Sequence, residues 1–254
     1  MVAEDSRTTE ELFQASLVGD CDDEAAWDAV RFLRWRNTEE VFKTAVRYCH
    51  SPIPLERARG LDVLAQLGAG RPQSERPHFD ESAAIAIERL RDPNPRVVSS
   101  AAWALTHLGG DLAVDALIPM RTYPDPDVRW ALTNVLHGTE RADAIATLIE
   151  LMDDPDDNVR DWATFALGTQ CSVDSAEIHD ALRKRLSDSY EDARAEAIWG
   201  LARRRYEQGI KMLIEELGDP EHGRGHEMAA ADALDLPSDT STEQLCDGLR
   251  KLFP

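Results

Sequence analysis

The sequence predicts an all-α fold, a solenoid of about seven stacked helical pairs, and three observations carry that prediction. One pattern recurs along the chain, an Asp-Pro turn, then Val-Arg, then an alanine-rich apolar run, and its valines Val97, Val128 and Val159 lie 31 residues apart. The segment before such a turn has apolar residues at helical spacing (Ala142, Ile145, Leu148, Ile149, Met152), so each unit reads as helix, turn, helix. One pair cannot bury its own apolar stripe, so the pairs must stack. A chain of 254 residues that is 43% hydrophobic can supply the continuous core this requires.

The elements follow in order. The first pair, 8–36, rests on Ala25-Ala26-Trp27 running to Leu33, and the second, 38–68, on Leu55-Glu56-Arg57 running to Leu64. The Gly, Pro and Ser content of 68–79 reads as a loop that lengthens one repeat spacing to 41 residues, a tolerated insertion more than a lip on a binding surface. Pairs at 80–109, 112–138 and 141–168 carry the clearest copies: Asp92-Pro-Asn-Pro-Arg-Val97, Tyr123-Pro-Asp-Pro-Asp-Val128-Arg129 and Asp154-Pro-Asp-Asp-Asn-Val159-Arg160. In these turns aspartate suits a helix cap, and proline stands where no backbone donor is needed. Weaker copies are 174–203, with Ala193-Arg194 in the Val-Arg slots, and 206–236, from Asp219-Pro220 to Leu234. Small residues, Ala101, Ala102, Ala163 and Ala197, allow neighbouring helices to approach. The tail, 237–254, opens on a capping box at Thr240-Ser-Thr-Glu243 and continues through Leu245, Leu249 and Leu252 as a last helix sealing the end of a single domain, 1–254.

These D-P-x-x-x-V-R-x-x-A-x-x-A-L-G units resemble HEAT repeats of the bacterial phycobilisome-lyase-like kind, from about Thr8 to about Leu236. More narrowly, Val159 to Gln170 is similar to a group of bacterial HEAT proteins that brings a fold but no activity. The resemblance implies a right-handed superhelix. It also implies that turn aspartates and Val-Arg arginines (Asp154, Asp188, Arg129, Arg160, Arg194) tie adjacent units together. Second helices would then line a concave side, exposing the second, third and sixth positions after the Val slot. Those positions hold Trp27 and Trp130, then Trp162, then Trp103, Phe165 and Trp199, where polar residues would be the default. A row of exposed aromatics marks a binding surface. Interleaved acids, Asp62, Asp161, Glu196 and Asp232, suit a basic partner, with the rings available to cations. The predicted groove is therefore Trp103, Trp130, Asn134, Asp161, Trp162, Phe165, Glu196 and Trp199. The Trp130-x-x-x-Asn134 spacing is similar to the ladder by which armadillo importins hold basic peptides, in one copy.

Charge narrows the partner. A net −20 repels phosphate backbones and anionic lipid, so nucleic acid and membrane are not expected and a basic protein or peptide is. No basic, apolar leader opens the chain and no run is long enough to span a bilayer, so the chain is expected to be cytoplasmic and monomeric. Cys21, Cys49, Cys171 and Cys246 stand singly, as reduced and mostly buried thiols.

Catalysis finds no candidates. No GxSxG, P-loop, GxGxxG or CxxC motif is present. Deoxyhypusine hydroxylases need several His-Glu pairs for two irons, and this chain has one, His226-Glu227, out of register. His222 and His226 are close enough for an adventitious metal only. Alkylation-repair glycosylases pair tryptophan with a catalytic aspartate, as Trp162 and Asp161 could, but must hold a polyanion. Phycobilin lyases share the repeat type, with no distinctive residue here. A toxin-neutralising immunity protein also fits the acidity. The expectation is a binding scaffold without cofactor or metal.

Overall fold

The computed structural model describes residues 5–18, 23–219 and 223–253; Cys21, Pro220 and His222, singled out above, lie outside them. Among the described residues there are fifteen α-helices and no strand, an all-α solenoid of helical pairs. The pairs are α1 (Thr9–Ser16) with α2 (Glu24–Arg36), α3 (Glu39–Cys49) with α4 (Pro54–Gln66), and α5 (Phe79–Arg89) with α6 (Pro95–Leu108). Next come α7 (Asp111–Leu117) with α8 (Pro126–Leu136), and α9 (Ala142–Leu151) with α10 (Asp157–Gly168). The last are α11 (Ala176–Arg185) with α12 (Glu191–Arg203), α13 (Glu207–Leu217) with α14 (Arg224–Leu234), and the final helix α15 (Thr242–Leu252). Packing divides the chain into two compact units, Met1–Val135 and Leu136–Pro254.

Within each unit the second helices pack on one another in series, α2 on α4 on α6 in the first and α10 on α12 on α14 in the second. Small residues make this approach close. Ala101, Ala102, Ala163 and Ala197 are fully buried. Two glycines go further: a Cβ on Gly200 would lie 2.6 Å from the Cα of Gly168, so α10 and α12 nearly touch backbone to backbone. The Val slots Val97, Val128 and Val159 are each 0% exposed, which sets the phase of the second helices. On α9 the buried stripe is Ala144, Thr147, Leu148 and Leu151, with Met152 beyond the helix end. Ala142, the first residue of the helix, is exposed because it falls off the buried stripe that begins at Ala144.

The turns explain why aspartate and proline recur together. Asp154 accepts from the Asp156 amide at 2.9 Å, and Asp156 in turn accepts from Asn158 and Val159, so the second aspartate caps α10 while the first closes the turn. Asp92 and Asn94 divide the work in the same way before α6. The Val-Arg arginine then reaches the turn of the next helical pair. Arg160 holds the Asp188 carboxylate through two bonds of 3.1 Å, and Asp188 also pairs with Arg185 at 2.9 Å. Arg57 grips Asp92 with two bonds of 2.8 Å in the first unit. Arg160 and Arg194 also cap turn carbonyls, of Asp154 and Asp188, and Arg129 those of Tyr123 and Pro124.

The 68–79 segment is fastened rather than loose. Gly68 and Gly70 take positive φ (66° and 91°), which turns the chain back. Arg76 then donates to Ala65 and Leu67 at the end of α4 and to His107 at the end of α6, satisfying carbonyls that a helix end leaves open. At the tail, the capping box forms one residue later than the sequence suggests. Ser241 and Gln244 make it, because Ser241 is the extended residue that precedes α15. Leu245 and Leu249 bury against α13 and α14.

Candidate functional site

All the predicted groove residues sit on second helices, and their rings are neither core nor fully exposed. Trp103, Trp130, Trp162, Phe165 and Trp199 are half-buried, between neighbours that are enclosed: Ala101, Ala102, Ala104 and Leu105 around Trp103, and Ala131 and Leu132 beside Trp130. A helix whose core slots are filled by alanine and leucine has no room inside for an indole, so the large rings lie across the seams between helices. Two clefts result, one in each unit.

The first unit holds a cleft of ≈ 460 Å³ whose walls are Trp27, Trp103 and Trp130, with Arg59 and Asp62 at its base and Asp125 and Asp127 at its edge. Trp27 and Trp103 meet edge to face, ring centroids 5.4 Å apart, and His107 packs 4.3 Å from Trp103. Arg59 is 2% exposed and its guanidinium lies 5.5 Å from the Trp27 ring. It donates to the Ser16 carbonyl at 2.7 Å and to Asp62 at 3.1 Å. Burial pushes the Asp62 carboxyl up to about 6 against the pull of Arg59. Asp125 accepts from Ser99 at 2.7 Å and from the Asp127 amide. The carboxylates here already have internal partners. Asn134 does not join the cleft wall, because its amide nitrogen turns back to the Trp130 carbonyl one helical turn away, at 3.2 Å.

The second unit holds a cleft of ≈ 410 Å³ between α10, α12 and α14, lined by Phe165, Glu196, Trp199, Arg203, Gly225, Met228 and Asp232 among others. Trp162 packs edge-on against Phe165 at 5.7 Å, beside the cleft rather than in it. The far end of the Trp199 indole presses against the start of α14, where only glycine fits: a Cβ on Gly225 would fall 2.4 Å from the ring. His226, the next residue, meets the indole edge to face at 5.3 Å. At the rim, Arg203 pairs with Asp232 at 3.4 Å and donates to the Thr169 carbonyl.

The electrostatics of this cleft differ from those of the first. Glu196 Oε2 and Trp199 Nε1 are both enclosed, and neither has a hydrogen-bond partner. Burial, with Asp161 and Asp192 adding negative charge nearby, pushes the Glu196 carboxyl up to about 8 although Arg203 pulls the other way. Burial and Asp192 push Asp161 up to about 6. Asp161 thus ionises first, and its charge then opposes ionisation of Glu196. Such an arrangement suits a positively charged guest, which would relieve all three carboxylates. Among the described residues no cluster of three or more His, Cys, Asp or Glu could hold a metal ion. Glu227 accepts from Thr242, tying α14 to α15. No helix is long and apolar enough to cross a membrane among the described residues.

Sequence position alone points to Phe165, Glu196 and Trp199. It misses Gly225 and Met228, because they lie on α14, where the repeat is weakest, and because the one signal, a glycine in the first turn, says nothing about which ring will lie on it.

Residues 114–178 match the HEAT repeats family. Protein YibA of Escherichia coli (strain K12) is 38% identical over 73 residues, a stretch that covers 29% of this chain and 26% of that protein. The crystal structure of E. coli YibA is similar over 99% of both chains, with a TM-score of 0.69 and 21% identity. The archaeal HEAT-like repeats protein from Thermococcus onnurineus NA1 is similar over 99% of this chain and 100% of its own, with a TM-score of 0.56 and 16% identity. The S. pombe condensin Cnd3-Cnd2 subcomplex is similar over 88% of this chain and 32% of the other, with a TM-score of 0.61 and 16% identity. At such identities the structural likeness shows the fold. The paired helices with their Asp-Pro turns, the Arg160–Asp188 and Arg57–Asp92 ties between successive pairs, and the match over 114–178 together show HEAT repeats in this chain.

Proposed function

We propose that this chain is a non-catalytic binding scaffold that holds a basic protein or peptide segment on the aromatic, acidic face of its second helices. The observation that carries this reading is the pair of indole-walled clefts, each furnished with carboxylates, on a chain of net charge −20. Aromatic rings give contact area at low entropic cost, and the acidic field draws a cation from a distance while repelling polyanions. The test uses fluorescently labelled lysine- and arginine-rich peptides, with acidic peptides of equal length as controls, followed by polarisation. Basic peptides should bind, more weakly as salt rises, and acidic ones should not. Replacing Trp130, Trp162 and Trp199 together by alanine should abolish binding while the far-ultraviolet dichroism stays helical. Equal binding of both peptide classes, or full binding by that variant, overturns the proposal.

A further inference from the structure

Buried polar groups in folded proteins are almost always hydrogen-bonded, so an enclosed carboxyl oxygen and an enclosed indole N–H left unpartnered in one small cleft call for an explanation. Glu196 Oε2 and Trp199 Nε1 are such a pair, and both residues line the same ≈ 410 Å³ space. Phe165, Met228 and Ala229 give the space its apolar lining, Thr169, Gln170, Arg203 and Asp232 its polar lining, and Gly225 leaves helix backbone open to it. The space is built for something with a narrow aliphatic body and a polar end.

The charges facing Glu196 identify that end. Asp161 approaches from α10, Asp192 from its own helix, and Asp232 and His226 stand on α14. The nearby cation, Arg203, is already engaged by Asp232 and the Thr169 carbonyl. An anion would be repelled by Asp161, Asp192 and Asp232 around Glu196, whereas a cation is attracted by all of them, an advantage that a neutral guest lacks. We propose that this cleft seats the cationic end of one lysine or arginine side chain. The stem lies along Phe165 and Met228, the nitrogen meets Glu196, and the Trp199 N–H donates to a main-chain carbonyl of the same residue. This assignment rests on the basic-segment reading and deepens it by naming the residue class recognised and its seat.

The arriving cation takes the place of the Glu196 proton, which leaves to solvent. Because burial and the neighbouring acids hold that proton up to about 8, binding strengthens about tenfold per pH unit between roughly pH 6 and 8 and levels off above. Lysine and arginine remain charged throughout that range.

The experiment follows the indole N–H resonance of Trp199 in the full-length protein, assigned by its absence from Trp199→Phe. The probes are Nα-acetyl-lysine methylamide, the arginine equivalent, and the neutral norleucine equivalent. The two cationic probes should move the resonance saturably and the norleucine probe should not. Glu196→Gln, of the same shape, should weaken cation binding at pH 8 by about tenfold or more and remove its pH dependence. Glu196→Asp, which keeps the charge, should retain part of both. A norleucine probe that binds as well as lysine, or an unchanged affinity in a folded Glu196→Gln, overturns the assignment. A basic peptide separates the two readings. If it binds both proteins equally, the seat is wrong and the scaffold stands. If the single-residue cations bind at Trp199 but the peptide binds no better than an acidic one, the seat stands and the scaffold reading falls.

Discussion

Replacing Glu196 by glutamine should change how the stability of the protein depends on pH, and the sign of the change is fixed by the cleft. In the unfolded chain a glutamate releases its proton near 4.5, whereas in the folded protein Glu196 holds its proton up to about 8. Below pH 4.5 both states carry the proton and the wild type has its full stability. Between 4.5 and 8 the unfolded chain has released the proton and the folded one has not, so stability falls by up to about 1.4 kcal/mol per pH unit. Above 8 the loss is complete, on the order of 3–5 kcal/mol for a half-buried group. Glutamine has no proton to lose, so the variant gains on the wild type across this window and then runs parallel to it. Asp161 makes a similar contribution at lower pH, between 3.8 and about 6. It ionises while Glu196 is still neutral, so it is common to both proteins and cancels in the comparison. Urea denaturation at pH 5, 6, 7, 8 and 9, with variant and wild type side by side, measures the difference directly. A constant offset across the series would refute the reasoning, because it would mean Glu196 ionises in the folded protein at least as easily as in water.

Three further outcomes follow from the packing. Asp188→Ala removes the buried carboxylate that holds both Arg160 and Arg185 and leaves them only the exposed Asp157 and Asp153; thermal unfolding should show a loss of about 1–3 kcal/mol, and a loss below about 0.5 kcal/mol would show that the tie is only decorative. Gly200→Ala places a methyl 2.6 Å from the Gly168 backbone and should cost about 1–3 kcal/mol through separation of α10 from α12, whereas the exposed Gly223→Ala should change stability little, as chemical denaturation of both variants would reveal. Arg76→Ala frees the carbonyls of Ala65, Leu67 and His107, so limited proteolysis should cut within 68–79 much faster than in the wild type, and an unchanged rate would show that other contacts hold the segment.

What the sequence reveals and what it hides divide along a physical line. The repeat is legible because the same mechanical problem recurs at a fixed spacing: a turn that must be closed by Asp92 or Asp154, a slot that must be filled by Val97 or Val159, and an arginine that must reach the next carboxylate. Periodicity puts Trp103, Phe165 and Trp199 outside the core slots, and there they are half-buried between enclosed neighbours rather than exposed. The polar state of each carboxylate is not periodic and cannot be read this way. Asp62 and Glu196 both stand among the acids of the second helices, yet Asp62 has Arg59 against it at 3.1 Å while the Oε2 of Glu196 has no partner. The difference is set by which residues arrive from neighbouring pairs: Arg59, on the same helix as Asp62, is bent inward by the Ser16 carbonyl, whereas Arg203 is drawn off Glu196 by Asp232 and Thr169. The proposed seat is therefore a place where the solenoid leaves one of its own acids without an internal partner. Finding it requires knowing where every nearby cation has gone, which is a property of the folded neighbourhood and not of any single repeat.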